Sequence, residues 1–583
     1  MKKRIALLLT LALSASMLAG CKGKTDTSAG GESQTGSVTA QATEKTTDKT
    51  AENTTANPEA SDELQVFRTY LAAEPTTLDI SLRSDSYSST IMSNNMEGLI
   101  RLADQDGGYV LSPGDAQSWE SNEDGTVWTF HLNPDAKWED GEPVTAQQYV
   151  YSLQRSADPQ TGCPNGFFLE PLLNFSEVNA GEKDVSELGV KALDDHTLEI
   201  TLKATMPSFL QMCSGTLYYP QRKDKIEEYK EQYGSEAKYT MSNGPFKLDS
   251  WVHNSTIVLV KNENYWDAEN VFLDKVVFNI MMDEVTAFNA YESGELDYVT
   301  TGSSEWLQRF QSRQDSQYIS YTSATLTYGF YNCKDALFQN SKIRKAFTLA
   351  LDLDEVNRVC YDSSRVPTYG WVVPTIFVGE QNFREVAGDT LKEMKEELAA
   401  QGKTPKDLLI EGMQELGLGD DPSTLKIIFS LSGTTDRDRT TGDYMQQIYL
   451  RELGVNLELG FSDWGIFYDN VQKGNFQIAI MAWGAYYNDP YDVLSLFVSN
   501  NDAIKTGWSS EEYDRLIAEA SVEMDDAKRL ESYVKAEDLL LRDEGVVCPY
   551  GTSRVNIFVR DYVKNYPSMG FTKRGLKGVS IEK

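Results

Sequence analysis

Between Ser118 and Arg155 the chain reads SWESNEDGTVWTFHLNPDAKWEDGEPVTAQQYVYSLQR, a stretch whose local structure follows from side-chain spacing alone. Trp128, Phe130 and Leu132 alternate with Val127, Thr129 and His131, the period of two expected of a strand that buries one face. Asp140-Gly141 marks a turn. Thr145, with Gln148 three residues on, has the pattern of a capping box. Ala146, Tyr149, Val150 and Leu153 then recur at helical spacing. Strand, turn and amphipathic helix in that order predict an α/β fold.

A chain of 583 residues exceeds what one core organises, so two or three domains are expected. The formal net charge of −34 excludes nucleic acid or an anionic membrane face as the main partner, because tracking phosphates needs clustered Lys and Arg. Lys2, Lys3 and Arg4 precede an apolar run from Ile5 to Leu13 and then Leu18-Ala19-Gly20-Cys21, which predicts an export signal too short to span a bilayer. Leu-Ala-Gly-Cys resembles the bacterial lipobox, so residues 1–21 read as a lipoprotein signal, with Cys21 as the lipidated residue. Two acyl chains there would anchor the protein without a transmembrane helix. Residues 22–61 are small and polar, with Thr, Ser, Gly, Gln, Glu and Lys prominent and Val38 as the one large aliphatic, a composition that predicts a disordered tether. Such a coil spans about 35 Å. The expected address is therefore the extracytoplasmic face of the cell membrane, reached through a lipid anchor only. Five further cysteines follow, Cys163, Cys213, Cys333, Cys360 and Cys548. Export permits a disulfide, for which Cys163 with Cys213 is the expected pair, and five unpaired thiols is the alternative. No Cys-x-x-Cys or His-rich cluster points to a metal, and no cofactor is expected.

The words W-x-F-x-L, A-K-W-x-D-G-x-P-V-T-A and Y-S-x-Q-R within Ser118–Arg155 resemble those of the extracellular solute-binding proteins of family 5, the oligopeptide and dipeptide receptors of ABC importers. The resemblance continues in order through Glu74-Pro75-Thr76-Thr77-Leu78-Asp79, Met96-Glu97-Gly98-Leu99, Asn243-Gly244-Pro245-Phe246, Tyr265-Trp266, Gly294-Glu295-Leu296-Asp297 and Ile343-Arg344-Lys345-Ala346. Gly294 ends the periodic segment Val285–Tyr291, where a left-handed residue would close a helix. The resemblance implies a periplasmic-binding-protein-like clamp of two hinged lobes with an additional inserted domain. In this numbering a discontinuous first lobe would comprise residues 62–95, 221–325 and 553–583, the inserted domain 96–220 and the second lobe 326–552. Ligand binding would favour the closed clamp.

The same resemblance places the ligand along Gln477–Pro490. There the first half of the segment reads by composition as a buried strand, and Asn488-Asp489-Pro490 as a turn. In relatives that bind peptides, backbone just after the matching tryptophan bonds the ligand as an added strand, which assigns that role to Trp483, Gly484 and Ala485. Many of these relatives read W-x-x-D-Y-N-[DE]-P, with the aspartate pairing the peptide's free ammonium. This chain has Tyr486 at that place. Tyr486 can offer a hydroxyl or ring face, or Asp489 can move in, but neither equals a paired carboxylate. Val471, Gln472 and Ile480 are likewise uncharged where some relatives carry Arg or His for a ligand carboxylate. Recognition of peptide ends is thus expected to be weakened, which favours peptides bound by their middle, blocked peptides or another solute. Trp464, Tyr328 and Tyr487 are candidate aromatic walls, and alignment puts Ser84 and Ser86 near the cleft.

The chain has three histidines, no G-x-S-x-G, no H-E-x-x-H and no Gly-rich loop followed by Lys and Ser or Thr, so catalysis is not expected. The reading is a monomeric solute-binding subunit of an ABC importer that captures oligopeptides and delivers them to permease subunits. Two alternatives stay open: a peptide-sensing surface receptor that does not import, and a binder of a non-peptide solute within the same family.

Overall fold

The computed structural model describes residues 64–105, 108–433, 435–501, 503–567 and 575–582. The signal segment, Cys21 and the tether lie outside the described residues.

Three principal sheets organise the body. A four-stranded sheet orders Val66–Leu71, Lys275–Ile280, Thr256–Lys261 and Phe246–Val252, with its first pair parallel. A second, antiparallel, orders Ala116–Ser121, Val127–Leu132, Thr197–Thr201 and Val190–Asp194. The third runs Tyr298–Thr300, Val547–Arg560, Ser316–Tyr331, Ile478–Gly484, Ile427–Ser432 and Leu457–Ser462, with Arg365–Pro367 added on Val547–Arg560. The two long strands of the third sheet connect separate cores. Ile319, Tyr321, Ile557 and Val559 pack with the first two sheets, whereas Leu326, Tyr328, Phe330 and Val547 enter a core built on Trp371 and Tyr533. Their register shifts between Thr322 and Leu326, where one core gives way to the other.

The strand, turn and helix expected within Ser118–Arg155 are all present. Phe130 and Leu132 are buried and His131 is exposed on strand Val127–Leu132. Gly141 takes the turn with φ 87°. Helix Ala146–Ala157 buries Ala146, Tyr149, Val150 and Leu153, and the Gln148 side-chain oxygen accepts the Thr145 N–H at 3.0 Å. That same oxygen accepts the Trp138 indole N–H at 2.9 Å, so the tryptophan of one motif locks the cap of the next.

Other family words also meet one another. Arg155 clasps Asp79 through both guanidinium nitrogens at 2.6 and 2.7 Å, joining the end of the helix to the loop after the first strand. The Asn243 side chain accepts the Glu97 N–H at 3.0 Å and donates to Glu97 O at 3.1 Å. The Glu97 carboxylate takes Arg101 and the Tyr265 hydroxyl at 2.6 and 2.7 Å. At Gly244 a Cβ would lie 2.6 Å from the Met96 carbonyl, so no larger residue fits this approach. Gly294 closes helix Glu284–Ser293 with φ 83°, as its spacing predicts.

The expected Cys163–Cys213 bridge is not formed, and both are free thiols. Cys213 ends the short helix Phe209–Cys213 inside the apolar core, while Cys163 is half-buried beside Arg83. Among the described residues no helix is long and apolar enough to cross a membrane.

Candidate functional site

Strand Ile478–Gly484 has one complete and one incomplete edge. Along Thr325–Tyr331 it is paired antiparallel for all seven residues. On the other side the parallel strand Ile427–Ser432 reaches only Ile478 and Ala479. From Ile480 onward that edge has no strand partner among the described residues. The Ala485 N–H donates to Ala324 O at 2.9 Å. Antiparallel residues alternate in the direction of their main-chain groups, so those of Ala482 and Gly484 face away from the long strand, toward the open edge. An extended ligand can add there as a strand.

Beside this edge lies a cavity of about 770 Å³. Trp483, Tyr486, Tyr487 and Tyr468 line one side, and Ser84, Asn165 and Phe168 line another. The walls mix aromatic rings with polar side chains such as Asn179, Lys203 and Asn501, which suits varied side chains. The indole N–H of Trp483, a residue that lines this cavity, is buried and has no hydrogen-bond partner. Tyr486 packs its ring against Phe168 with centroids 4.4 Å apart. Its backbone N–H donates to Asp492 Oδ2 at 2.7 Å. Burial pushes the Asp492 carboxyl up to about 8, against the pull of the Tyr486 and Tyr487 amides.

The structure brings together Ser84, Trp483, Tyr486 and Tyr487 of the expected residues, with the main chain of Gly484 on the open edge. Ala485 is buried and its N–H is already used. Ser86 lines a separate cavity of about 350 Å³ with Thr69, Tyr87 and Ser323. Trp464, 56% exposed on helix Trp464–Gln472, stacks on Tyr468 at 5.4 Å and so stands behind the cavity wall. Tyr328 and Asp489 line neither cavity and, like Ala485, are buried. Tyr328 is enclosed between Trp371 and Phe330, because its position on the long strand points into the second core. Asp489 caps helix Pro490–Leu494 and pairs with Arg529, so it is not free to replace a carboxylate at position 486. The sequence reading missed Arg83, Asn165, Phe168 and Tyr468. Arg83 alone carried a signal, a single cation within the polar run Ser81–Ser89.

Residues 110–505 match the model of the bacterial extracellular solute-binding proteins, family 5. The chain belongs to family 5. Its family relatives include the dipeptide-binding protein DppE of Bacillus subtilis, 31% identical over 83% of this chain and 86% of that protein. The periplasmic oligopeptide-binding protein OppA of Salmonella typhimurium is 32% identical over 79% of this chain and 82% of its own length. Among solved family 5 structures, the substrate-binding domain of an oligopeptide ABC transporter from Bacillus anthracis superposes with a TM-score of 0.75 at 29% identity, covering 89% of this chain and 99% of its own. As a family 5 member this chain is an extracytoplasmic solute-binding protein of the periplasmic-binding type and not an enzyme. Among the described residues no group of three or more His, Cys, Asp and Glu is placed to hold a metal ion.

Proposed function

We propose that this chain is the lipid-anchored substrate-binding subunit of an ABC importer, that it captures oligopeptides and that it delivers them to a permease. The open edge beyond Ala479, facing a cavity of about 770 Å³, carries the reading. Main-chain pairing gives affinity without regard to sequence, and the mixed aromatic and polar walls accept varied side chains. The names of the relatives, dipeptide-binding and oligopeptide-binding, support the same ligand class.

In this reading Cys21 carries the lipid and residues 22–61 form the tether. Residues 62–95, 221–325 and 553–583 make one lobe, 96–220 the insert and 326–552 the second lobe. The register shift between Thr322 and Leu326 is the proposed hinge, since a strand that already changes register bends there with least loss of pairing. Capture closes the lobes, and the closed form engages the permease.

Mass spectrometry of material released by unfolding the purified full chain tests the ligand class. A ladder of peptide masses is expected, and one discrete non-peptide mass would overturn it. Cys21→Ser is expected to release the protein from the membrane fraction, and unchanged retention would refute the anchor.

A further inference from the structure

A cavity of about 60 Å³ opens beside Tyr486 and Tyr487, between Arg83, Phe168, Gln211 and Met212. It contains a charge that the fold does not balance. Arg83 is 7% exposed, its Nε is buried without a partner, and its guanidinium makes no hydrogen bond or ion pair among the described residues. Elsewhere Arg155, Arg344, Arg384, Arg529 and Arg560 each meet a carboxylate. Burial without an ion-pair partner pulls the Arg83 pKa down.

None of the groups nearest the guanidinium contacts it as an ion-pair partner. Tyr486 and Tyr219 are phenols and Cys163 is a thiol whose pKa burial raises, so none of them is charged near neutral pH. Asp85 is the nearby carboxylate and acts on Arg83 through space, but it forms no ion pair with it, because its oxygens are held by Thr76 and by Ser88, where it caps helix Ser86–Asn95. Nor is the side chain there by accident of a loose loop. The Arg83 N–H donates to Asp79 O at 3.0 Å, and Arg83 O accepts the Asn165 amide at 3.0 Å, so its main chain is held on both sides. A second polar atom of the same cavity, Gln211 Oε1, is also buried without a partner. Exchanging the two ends of that amide turns a donor toward the same space.

We propose that Arg83, with Tyr486 and Gln211, forms an anion pocket at the end of the ligand site and takes a carboxylate of the bound peptide. The inference rests on the peptide reading above and specifies it. A strand added along Ile480–Gly484 ends beside Tyr486, where its terminal group or a side chain enters the pocket. The volume holds roughly four to six water-sized centres, enough for a carboxylate and its adjoining carbon and too little for a ring. Guanidinium and carboxylate match as a two-pronged pair, and the phenol hydroxyl can donate as well. Either an Asp or Glu side chain or a C-terminal carboxylate supplies the group.

The test uses the full chain and its Arg83→Met and Arg83→Lys variants, titrated with pentapeptide pools. One pool carries Asp and Glu with an amidated C-terminus, one has a free C-terminus with no acidic side chain, and one has neither. Wild type is expected to bind one or both carboxylate pools at least about tenfold more tightly than the third. Which pool is preferred identifies the source of the carboxylate. Arg83→Met is expected to melt no lower than wild type and to lose the preference, while Arg83→Lys keeps it. If wild type binds the uncharged pool equally well, or Arg83→Met keeps the preference, the anion pocket is refuted and peptide binding stands. If no pool binds, glutarate decides. A glutarate-dependent rise in melting temperature that Arg83→Met abolishes supports the pocket and refutes the peptide reading, and no rise refutes both.

Discussion

Asp492 offers a direct test of the electrostatics at the cleft. Its carboxyl is 5% exposed and accepts the Tyr486 N–H at 2.7 Å, with the Tyr487 amide also drawing on it. Burial raises it from 3.8 to about 8. Below pH 4 both folded and unfolded chains hold the proton, and the group costs nothing. Between about 4 and 8 the unfolded chain has released the proton while the folded chain keeps it, so stability falls as pH rises, by about 1.4 kcal/mol for each pH unit. The nominal penalty is about 2 kcal/mol at pH 5 and about 5 kcal/mol at pH 8, before solvent in the adjoining cavity screens part of it. Asp492→Asn keeps a carbonyl acceptor for Tyr486 and removes the titration. The two proteins are therefore expected to melt together near pH 4, and the wild type to fall progressively below the variant up to about pH 8. Melting curves from pH 4 to 9 measure this. A gap that does not change with pH, or a wild type that gains on the variant as pH rises, would refute the reasoning.

Asp489→Ala leaves Arg529 with only the half-exposed Asp526 as a carboxylate partner and removes the cap of helix Pro490–Leu494, for an expected loss of about 2 to 4 kcal/mol in chemical unfolding. Trp483→Phe retains the ring and deletes the unpartnered indole N–H, so peptide affinity is expected to fall roughly fivefold by calorimetry with little change in melting. Tyr486→Asp alone is expected not to create a preference for free-amine over N-acetylated peptides, because Arg83 would pair the new carboxylate. The double variant Arg83→Met/Tyr486→Asp is expected to show that preference, and its appearance in the single variant would refute the proximity argument.

What could be read from the sequence is what local rules govern. Strand, cap and helix within Ser118–Arg155 depend on neighbours a few residues apart, and each formed where its pattern placed it. The family words were legible as words, yet their pairing was not: Asp79 finds Arg155, and Asn243 finds Glu97, across separations that no local spacing encodes. The same limit divides the site. Trp483, Tyr486 and Tyr487 lie on one strand end and arrive at the cavity together, whereas Phe168 and Arg83 come from remote segments. Tyr328 and Asp489 looked like ligand residues because an aromatic and a carboxylate suit either a cleft or a core. Only packing against Trp371 and pairing with Arg529 separates the two uses.

The unbalanced charge at Arg83 links two properties usually optimised apart. If its counterion arrives with the ligand, the penalty carried by the free protein is the reserve from which selectivity is drawn. Substitutions that remove the penalty then yield a hardier but less discriminating receptor. Screens for thermostable variants of this chain would accordingly select against Arg83, and screens for tight, selective capture would retain it.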